Sequence, residues 1–81
     1  MTGNAAASTV IDTKGLRCPL PVLRVRKLMR RLDPGTEAVI LATDPGAEQD
    51  LRDYCEASGC TFLSAEYLEG GVLRVVIRKN R

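Results

Sequence analysis

A cysteine followed by two closely spaced prolines places the tightest constraint on how this chain folds. Residues 15–21 have the sequence Gly-Leu-Arg-Cys-Pro-Leu-Pro. Pro19 suits the first position of an α-helix, because its fixed φ is already helical and the N–H that proline lacks would have no partner there. We therefore predict that a helix begins at Pro19 with Cys18 as its N-cap. The helix dipole at that position lowers the pKa of a thiol.

The residues after Pro19 follow a helical period as far as Leu32. One arc of this predicted helix is apolar, and the opposite arc is basic. Leu20 and Leu23 depart from the pattern, since they fall on the polar side near Cys18. Two interpretations remain open: ordinary exposed leucines, which are common on protein surfaces, or an apolar patch beside the thiol on which a partner docks. The apolar arc comprises Val22, Val25, Leu28, Met29 and Leu32, and the basic arc Arg24, Arg26, Lys27, Arg30 and Arg31.

The rest of the chain alternates between strand-like and helical patterns. β-Branched runs, apolar runs and Gly-containing turns indicate the strands, and an Asp-Pro start followed by an amphipathic run indicates a second helix. The order β-α-β-α-β-β predicts an α/β two-layer sandwich, with one four-stranded mixed sheet and both helices on one face. We expect residues 1–8 to be a disordered start and residues 9–81 to form a single domain. The predicted elements are strands over residues 9–12, 37–43, 61–68 and 72–78 and a second helix over residues 45–58, with Asp44 as its N-cap and Gly59 at its end.

The types of residue that are missing exclude several functions. Histidine is absent, which removes Ser-His and Cys-His catalytic pairs and most zinc sites, so we expect neither a metal nor a cofactor. The three cysteines form no C-x-x-C pair and are too few for a disulfide framework, as in a reducing compartment. Residues 1–8 lack the features of a secretory signal, and no run is long enough to span a membrane. These patterns predict a cytoplasmic protein without membrane contact.

Cys18 is the candidate reactive group. Arg17 beside it and Lys14 near it give a second reason to expect a lowered thiol pKa and a stabilised sulfur anion. Hydrolysis would need a base that no histidine supplies, and dithiol chemistry would need a second cysteine nearby, whereas Cys55 and Cys60 are distant in the sequence and predicted to pack in the interior. The remaining simple chemistry is carriage, in which the sulfur accepts a group and passes it on.

Two other functions stay open at this point. The bases of the first helix could contact phosphates, as in a small regulatory or RNA-binding module. No aromatic side chain is interleaved with these bases to stack on nucleobases, which argues against nucleic acid. The third possibility is a thiol redox sensor, in which Cys18 forms a disulfide under mild oxidation.

Residues 12–21 resemble the signature of the TusA/SirA-type sulfur carriers. That signature is a C-P-x-P motif preceded by D-x-x-G-x-x-C, here Asp-Thr-Lys-Gly-Leu-Arg-Cys-Pro-Leu-Pro. The resemblance covers about residues 10–79 and continues through Val25-Arg26-Lys27, Pro34-Gly35, Asp44-Pro45 and Ile77-Arg78-Lys79.

The resemblance implies a βαβαββ sandwich and a cytoplasmic role in sulfur relay. By this resemblance Cys18 receives persulfide sulfur from a cysteine desulfurase or a rhodanese-like donor and hands it to a downstream acceptor protein. Such a carrier acts with partner enzymes rather than as a stand-alone catalyst. Family pathways include 2-thiolation of the tRNA wobble uridine, molybdenum cofactor assembly and sulfur oxidation. The matching motif positions with a structural role are Asp12, Gly15, Pro19 and Pro21.

One position departs from part of the family. Leu20 is the x of C-P-x-P, where the tRNA-thiolation carriers have glutamate, so a docking partner meets an apolar side chain beside the sulfur. We expect the free protein to be a monomer and to bind no nucleic acid directly. The residues predicted to dock the protein partners are Leu20, Leu23, Arg26, Lys27 and Arg30.

Overall fold

The computed structural model describes residues 8–81 and has the predicted order of strands and helices. The predicted disordered start lies outside the described residues, except for Ser8, which is the first residue of a strand. A short 3₁₀ turn, Glu69–Gly71, connects the last two strands. The elements are β1 (Ser8–Thr13), α1 (Leu20–Met29), β2 (Glu37–Ala42), α2 (Ala47–Ser58), β3 (Thr61–Tyr67) and β4 (Leu73–Arg78).

The four strands form one mixed sheet in the order β1-β2-β4-β3. β1 and β2 are parallel, and β4 is antiparallel to both of its neighbours, β2 and β3. The last strand of the chain therefore lies between β2 and β3, which places the continuous apolar run of β2 in the interior of the sheet. The predicted α/β sandwich with a four-stranded mixed sheet and two helices is confirmed.

Both helices pack on the sheet and on each other. The side chains of β2 and β4 alternate, and those that point toward the helices are fully or almost fully buried, as Ile40 and Val75 are. Val25 and Met29 of α1 and Leu51 of α2 are buried against them. This arrangement is the apolar interior that the alternating strands and the helical period predict.

Both helix starts lie later in the chain than predicted. Pro19 has φ −98° and ψ 16°, so it is the N-cap of α1, and its carbonyl accepts the first helical bond, from the N–H of Leu23 at 3.1 Å. Cys18 therefore precedes the N-cap instead of occupying it. At α2 the N-cap is Gly46, and Asp44 instead accepts the N–H of Gly46 on its Oδ2 at 2.8 Å, as in an Asx turn.

The ends of the two helices compare differently with the prediction. α1 ends at Met29 instead of Leu32, because the N–H of Leu32 bonds to the carbonyl three residues back, as in a tighter turn. Gly59 ends α2 as predicted, with a left-handed φ of +82° that suits glycine.

Candidate functional site

The thiol of Cys18 lies at the sheet edge where β1 and β2 end and both helices begin. Cys18 is exposed and follows the loop that leaves β1. The start of α2 approaches it closely: a Cβ atom built on Gly46 would lie 3.8 Å from Cys18 Cβ and 4.0 Å from its Sγ. Two elements that are distant in the sequence therefore build the surroundings of the sulfur.

The loop that carries Cys18 is fastened to the end of β2. The hydroxyl of Thr13 donates to the carbonyl of Leu41 at 2.6 Å, and the N–H of Gly15 donates to the hydroxyl of Thr43 at 2.9 Å. Gly15 has φ +84°, a backbone conformation that strains any residue with a side chain. These contacts agree with the structural role that the resemblance implies for Gly15.

The two prolines of the motif occupy different surroundings. Pro19 is exposed beside the thiol, whereas Pro21 is fully buried in the first turn of α1. Pro21 therefore anchors the start of the helix in the interior while Cys18 stays at the surface. The peptide bond between Cys18 and Pro19 is cis.

The sulfur of Cys18 makes a hydrogen bond that the sequence patterns do not predict. Its thiol donates to Oδ2 of Asp50, in the first turn of α2, at 2.7 Å. The sequence identifies Asp50 only as a carboxylate favourable to a helix start, and the two residues are 32 positions apart. Strand direction is the signal that could have predicted this contact. If β1 and β2 are parallel, both strands end at the same edge of the sheet, and the helices that follow them begin side by side.

The predicted lowering of the Cys18 pKa is wrong. The hydrogen bond to Asp50 raises the pKa of the Cys18 thiol above its usual value, and desolvation and the negative charges of Asp50 and Asp44 act in the same direction. The physical reason is that the start of α2 brings carboxylates to the thiol, while the N-cap position with its favourable dipole belongs to Pro19. This direction agrees with the hydrogen bond, which the thiol donates only while it keeps its proton.

The two cations expected beside the sulfur are exposed. Lys14 is paired with Asp12: its Nζ lies 3.0 Å from Asp12 Oδ2, and its N–H donates to Asp12 Oδ1 at 3.0 Å. The backbone N–H and then the ammonium of Lys14 hold the pKa of the Asp12 carboxyl below its usual value. Arg17 is exposed in the loop next to Cys18. A role of Lys14 and Arg17 in stabilising a sulfur anion stays a prediction.

The apolar and basic residues predicted to dock partners are at the surface of α1. Leu20 and Leu23 are 49% and 46% exposed. Arg26, Lys27 and Arg30 are exposed as well. The structure thus places the predicted docking residues on the helix that starts at the thiol.

A surface groove of about 310 Å³ runs between α1 and α2 from the thiol. Cys18, Val22 and Arg26 line one side, and Asp50 and Tyr54 line the other. Farther from the thiol, Arg30 lines the same inter-helix surface together with Arg26 and Tyr54. Of the predicted docking residues, Arg26 therefore lines the groove and Arg30 lines the neighbouring surface, while Leu20 and Leu23 are exposed near the start of α1 and line neither.

Of the other two cysteines, Cys55 lies in the interior as predicted, and Cys60 lies at the margin of the core. Cys55 is 3% exposed, and burial followed by the nearby Cys60 raises the pKa of its thiol to about 11. Cys60 is half-buried and packs against the core. Cys18 is thus the one exposed thiol of the three, all of which are free.

Two further features concern the described part of the chain. Neither helix in residues 8–81 has the length and apolar character needed to cross a lipid bilayer. The same residues contain no cluster of three or more Cys, Asp or Glu side chains arranged to hold a metal ion.

Fold and site together define a class of protein: a small α/β sandwich that presents one exposed cysteine immediately before its first helix. The chain belongs to the TusA family, because the family model described as Sulfurtransferase TusA matches residues 9–79. The family resemblance found in the sequence is confirmed.

Relatives from distant organisms support this assignment. The chain is 40% identical over 74 residues to YrkF of Bacillus subtilis, named as a candidate sulfur carrier, but the match spans 91% of this chain and 40% of that longer protein. A candidate sulfur carrier of Archaeoglobus fulgidus is 43% identical over 68 residues, which is 84% of this chain and 88% of that protein. The solved structure of a SirA-like protein from Desulfitobacterium hafniense superposes with a TM-score of 0.80 at 27% identity, over 90% of this chain and 99% of that chain.

Proposed function

We propose that this protein carries sulfur as a persulfide on Cys18 and relays it between partner proteins. The observation that supports the proposal most directly is the exposure of this thiol at the start of α1, whereas Cys55 is buried and Cys60 is half-buried. A carrier needs its reactive sulfur within reach of another protein's reactive sulfur. A thiol at the rim of a groove, on a loop fastened to the sheet, meets that need.

The proposed reaction is a transfer of sulfane sulfur without net oxidation or reduction. The sulfur of Cys18 attacks the outer sulfur of a donor persulfide, and a new S–S bond forms as the donor's own S–S bond breaks. The electron pair of that bond leaves on the donor's cysteine sulfur, which takes up the proton that Cys18 loses. The donor is a cysteine desulfurase or a rhodanese-like protein, and a downstream acceptor thiol removes the outer sulfur by the same chemistry.

Leu20, Leu23 and the basic face of α1 form the proposed docking surface. Exposed apolar side chains beside a reactive group are typical of a site that a partner covers. The surrounding Arg26, Lys27 and Arg30 add positive charge, which favours a partner surface rich in carboxylates. The acceptor belongs to tRNA 2-thiolation, molybdenum cofactor assembly or sulfur oxidation, and cytoplasmic enzymes carry out the transfer on both sides.

Sulfur uptake by the purified protein tests this proposal. Incubation with a cysteine desulfurase and cysteine should add one sulfur atom to the intact protein, and a thiol reductant should remove it. Cys18→Ser should abolish the uptake, whereas the matched variant Cys60→Ser should keep it. If Cys18→Ser still gains the sulfur, or if the unaltered protein gains none from the desulfurase and none from a rhodanese supplied with thiosulfate, the proposal is wrong.

A further inference from the structure

Asp50 contacts the reactive sulfur from a different helix. The thiol of Cys18 donates to Asp50 Oδ2 at 2.7 Å, across the gap between the starts of α1 and α2. The sulfur lies at the rim of the groove between these helices, with Asp50 beside it. A carboxylate can only accept a hydrogen bond, so this contact exists only while the thiol keeps its proton.

The other ionisable groups near the thiol come from α1, from α2 and from the loops that precede these two helices. α2 contributes Asp50, Asp53 and Tyr54 to the groove, and α1 contributes Arg26. Asp44, in the loop before α2, adds a further negative charge that acts on Cys18. The loop before α1 carries Arg17, next to the cysteine, and Lys14, which is paired with Asp12.

We propose that Asp50 is a positioning residue that holds Cys18 as a neutral thiol in the free protein, and that a sulfur donor frees the thiolate by placing a cationic side chain against Asp50. The proposal rests on the sulfur-carrier function proposed above. It adds the chemistry of the donor's contact at the rim of the groove: a lysine or arginine that meets the start of α2.

This arrangement connects docking to reactivity. The thiolate is the nucleophile in sulfur transfer, so a hydrogen bond that retains the proton keeps the free carrier slow to react. A cation that pairs with Asp50 replaces the thiol as its partner and lowers the cost of the sulfur anion. As the cation pairs with Asp50, Cys18 releases its proton to solvent. The thiolate then attacks the donor's outer sulfur, and the donor's departing cysteine sulfur takes up a proton from solvent as its own S–S bond breaks. No oxidant or reductant is required.

The selectivity of the carrier follows from the same contact. Small electrophiles and oxidants bring no cation to Asp50 and meet a neutral thiol. A docked donor meets a thiolate. The carboxylate therefore protects an exposed cysteine from side reactions without burying it.

The first test measures the alkylation rate of Cys18 against pH with iodoacetamide, an uncharged reagent, in the protein alone. The variants are Asp50→Asn, Asp50→Lys and the matched control Asp53→Asn, and the Cys18 peptide is quantified by mass spectrometry. The midpoint pH of the profile should be highest in the unaltered protein, lower in Asp50→Asn and lowest in Asp50→Lys. At a fixed pH below both midpoints, a variant whose midpoint is about one pH unit lower, and whose thiol is thus about tenfold more acidic, should be alkylated about threefold faster, because the gain in thiolate outweighs its lower nucleophilicity.

Asp53→Asn removes the same charge from the same groove and should move the midpoint less than Asp50→Asn does. If Asp53→Asn moves it as far, the effect is one of general charge and the role of Asp50 is wrong. An unchanged midpoint in Asp50→Asn would also overturn the proposal.

The second test measures sulfur uptake from a cysteine desulfurase supplied with cysteine. Asp50→Lys should react faster with iodoacetamide yet take up sulfur more slowly than the unaltered protein, because the new ammonium repels the donor's cation. If both rates rise, the donor places no cation at Asp50. The alkylation profile needs no donor, so an absence of uptake by the unaltered protein would count against the carrier function alone.

Discussion

Three cysteines in one small domain are chemically different because of their individual surroundings. Cys18 is exposed and hydrogen-bonded to a carboxylate, while Cys55 is enclosed by the core and Cys60 lies at its margin. Burial without a charged partner disfavours the thiolate, and a buried cysteine behaves as a small apolar residue. Cys55 and Cys60 thus contribute to packing, which leaves Cys18 as the thiol accessible for the proposed reaction.

The raised pKa of Cys55 predicts a loss of stability in alkaline solution. The thiol has its usual pKa of 9.0 in the unfolded chain and a pKa of about 11 in the folded protein. Between these values the folded state holds more protons, so the stabilising contribution is fully present below pH 9 and is lost as pH rises toward 11. The free energy of unfolding should fall by up to about 1.4 kcal/mol per pH unit from this group.

Urea unfolding at several pH values from 8 to 11, with the unaltered protein and Cys55→Ala, measures this effect. The variant lowers stability at every pH because it leaves a small cavity, but its pH slope should be shallower. Ionisable groups distant from Cys55 contribute in the same way to both proteins and cancel in the comparison. Parallel slopes would show that the Cys55 thiol ionises as easily in the folded state as in the unfolded one.

Individual helices and strands show where sequence patterns are informative. The helical period of Val22, Val25 and Met29 predicts α1 because burial of one face follows directly from the spacing of apolar residues. The same patterns place the start of the helix one residue too early, since proline is favoured at the first helical position, whereas the φ and ψ of Pro19 make it the N-cap. The contact between Cys18 and Asp50 cannot be predicted in the same way. It depends on how two helices are placed side by side, which no local pattern encodes.

The exposed leucines of α1 predict a specific effect on docking. Leu20→Ala with Leu23→Ala should raise the KM for sulfur uptake from the donor about fivefold to thirtyfold, the loss expected when apolar contacts at an interface are removed. The midpoint of Cys18 alkylation should change little, because Asp50 is still in place. Steady-state uptake at varied carrier concentration gives the KM.

Leu63→Ala is the matched control, since Leu63 is an exposed leucine of β3 with 40% of its side chain accessible. It should leave the KM unchanged. An equal rise of KM in both variants would mean that the donor does not dock on the start of α1.

The topology of the whole molecule brings Cys18 and Asp50 together. β1 and β2 are parallel, so the loops that follow them emerge at one edge, and each leads into a helix that packs on the same side of the sheet. Cys18 comes from one loop–helix connection and Asp50 from the next. The contact between Cys18 and Asp50 therefore depends on the packing of α1 and α2 against the sheet. A substitution in the core, far from the sulfur, should weaken this contact.

Leu51 connects the stability of the fold to the site. Leu51 lies in α2, one position after Asp50. Its side chain is fully buried and belongs to the same core as Val25 and Ile77. Leu51→Ala should lower the free energy of unfolding by about 2–5 kcal/mol, a large share of the total expected for a domain of this size. Because the residue anchors the start of α2, its loss also loosens Asp50, and Cys18 alkylation should shift toward lower pH in the folded variant.

Denaturant unfolding and the alkylation profile measure the two effects, with Leu63→Ala as the exposed counterpart. If Leu51→Ala costs no more stability than Leu63→Ala, α2 is not held to the sheet by this residue, and the position of Asp50 beside the thiol must depend on other contacts.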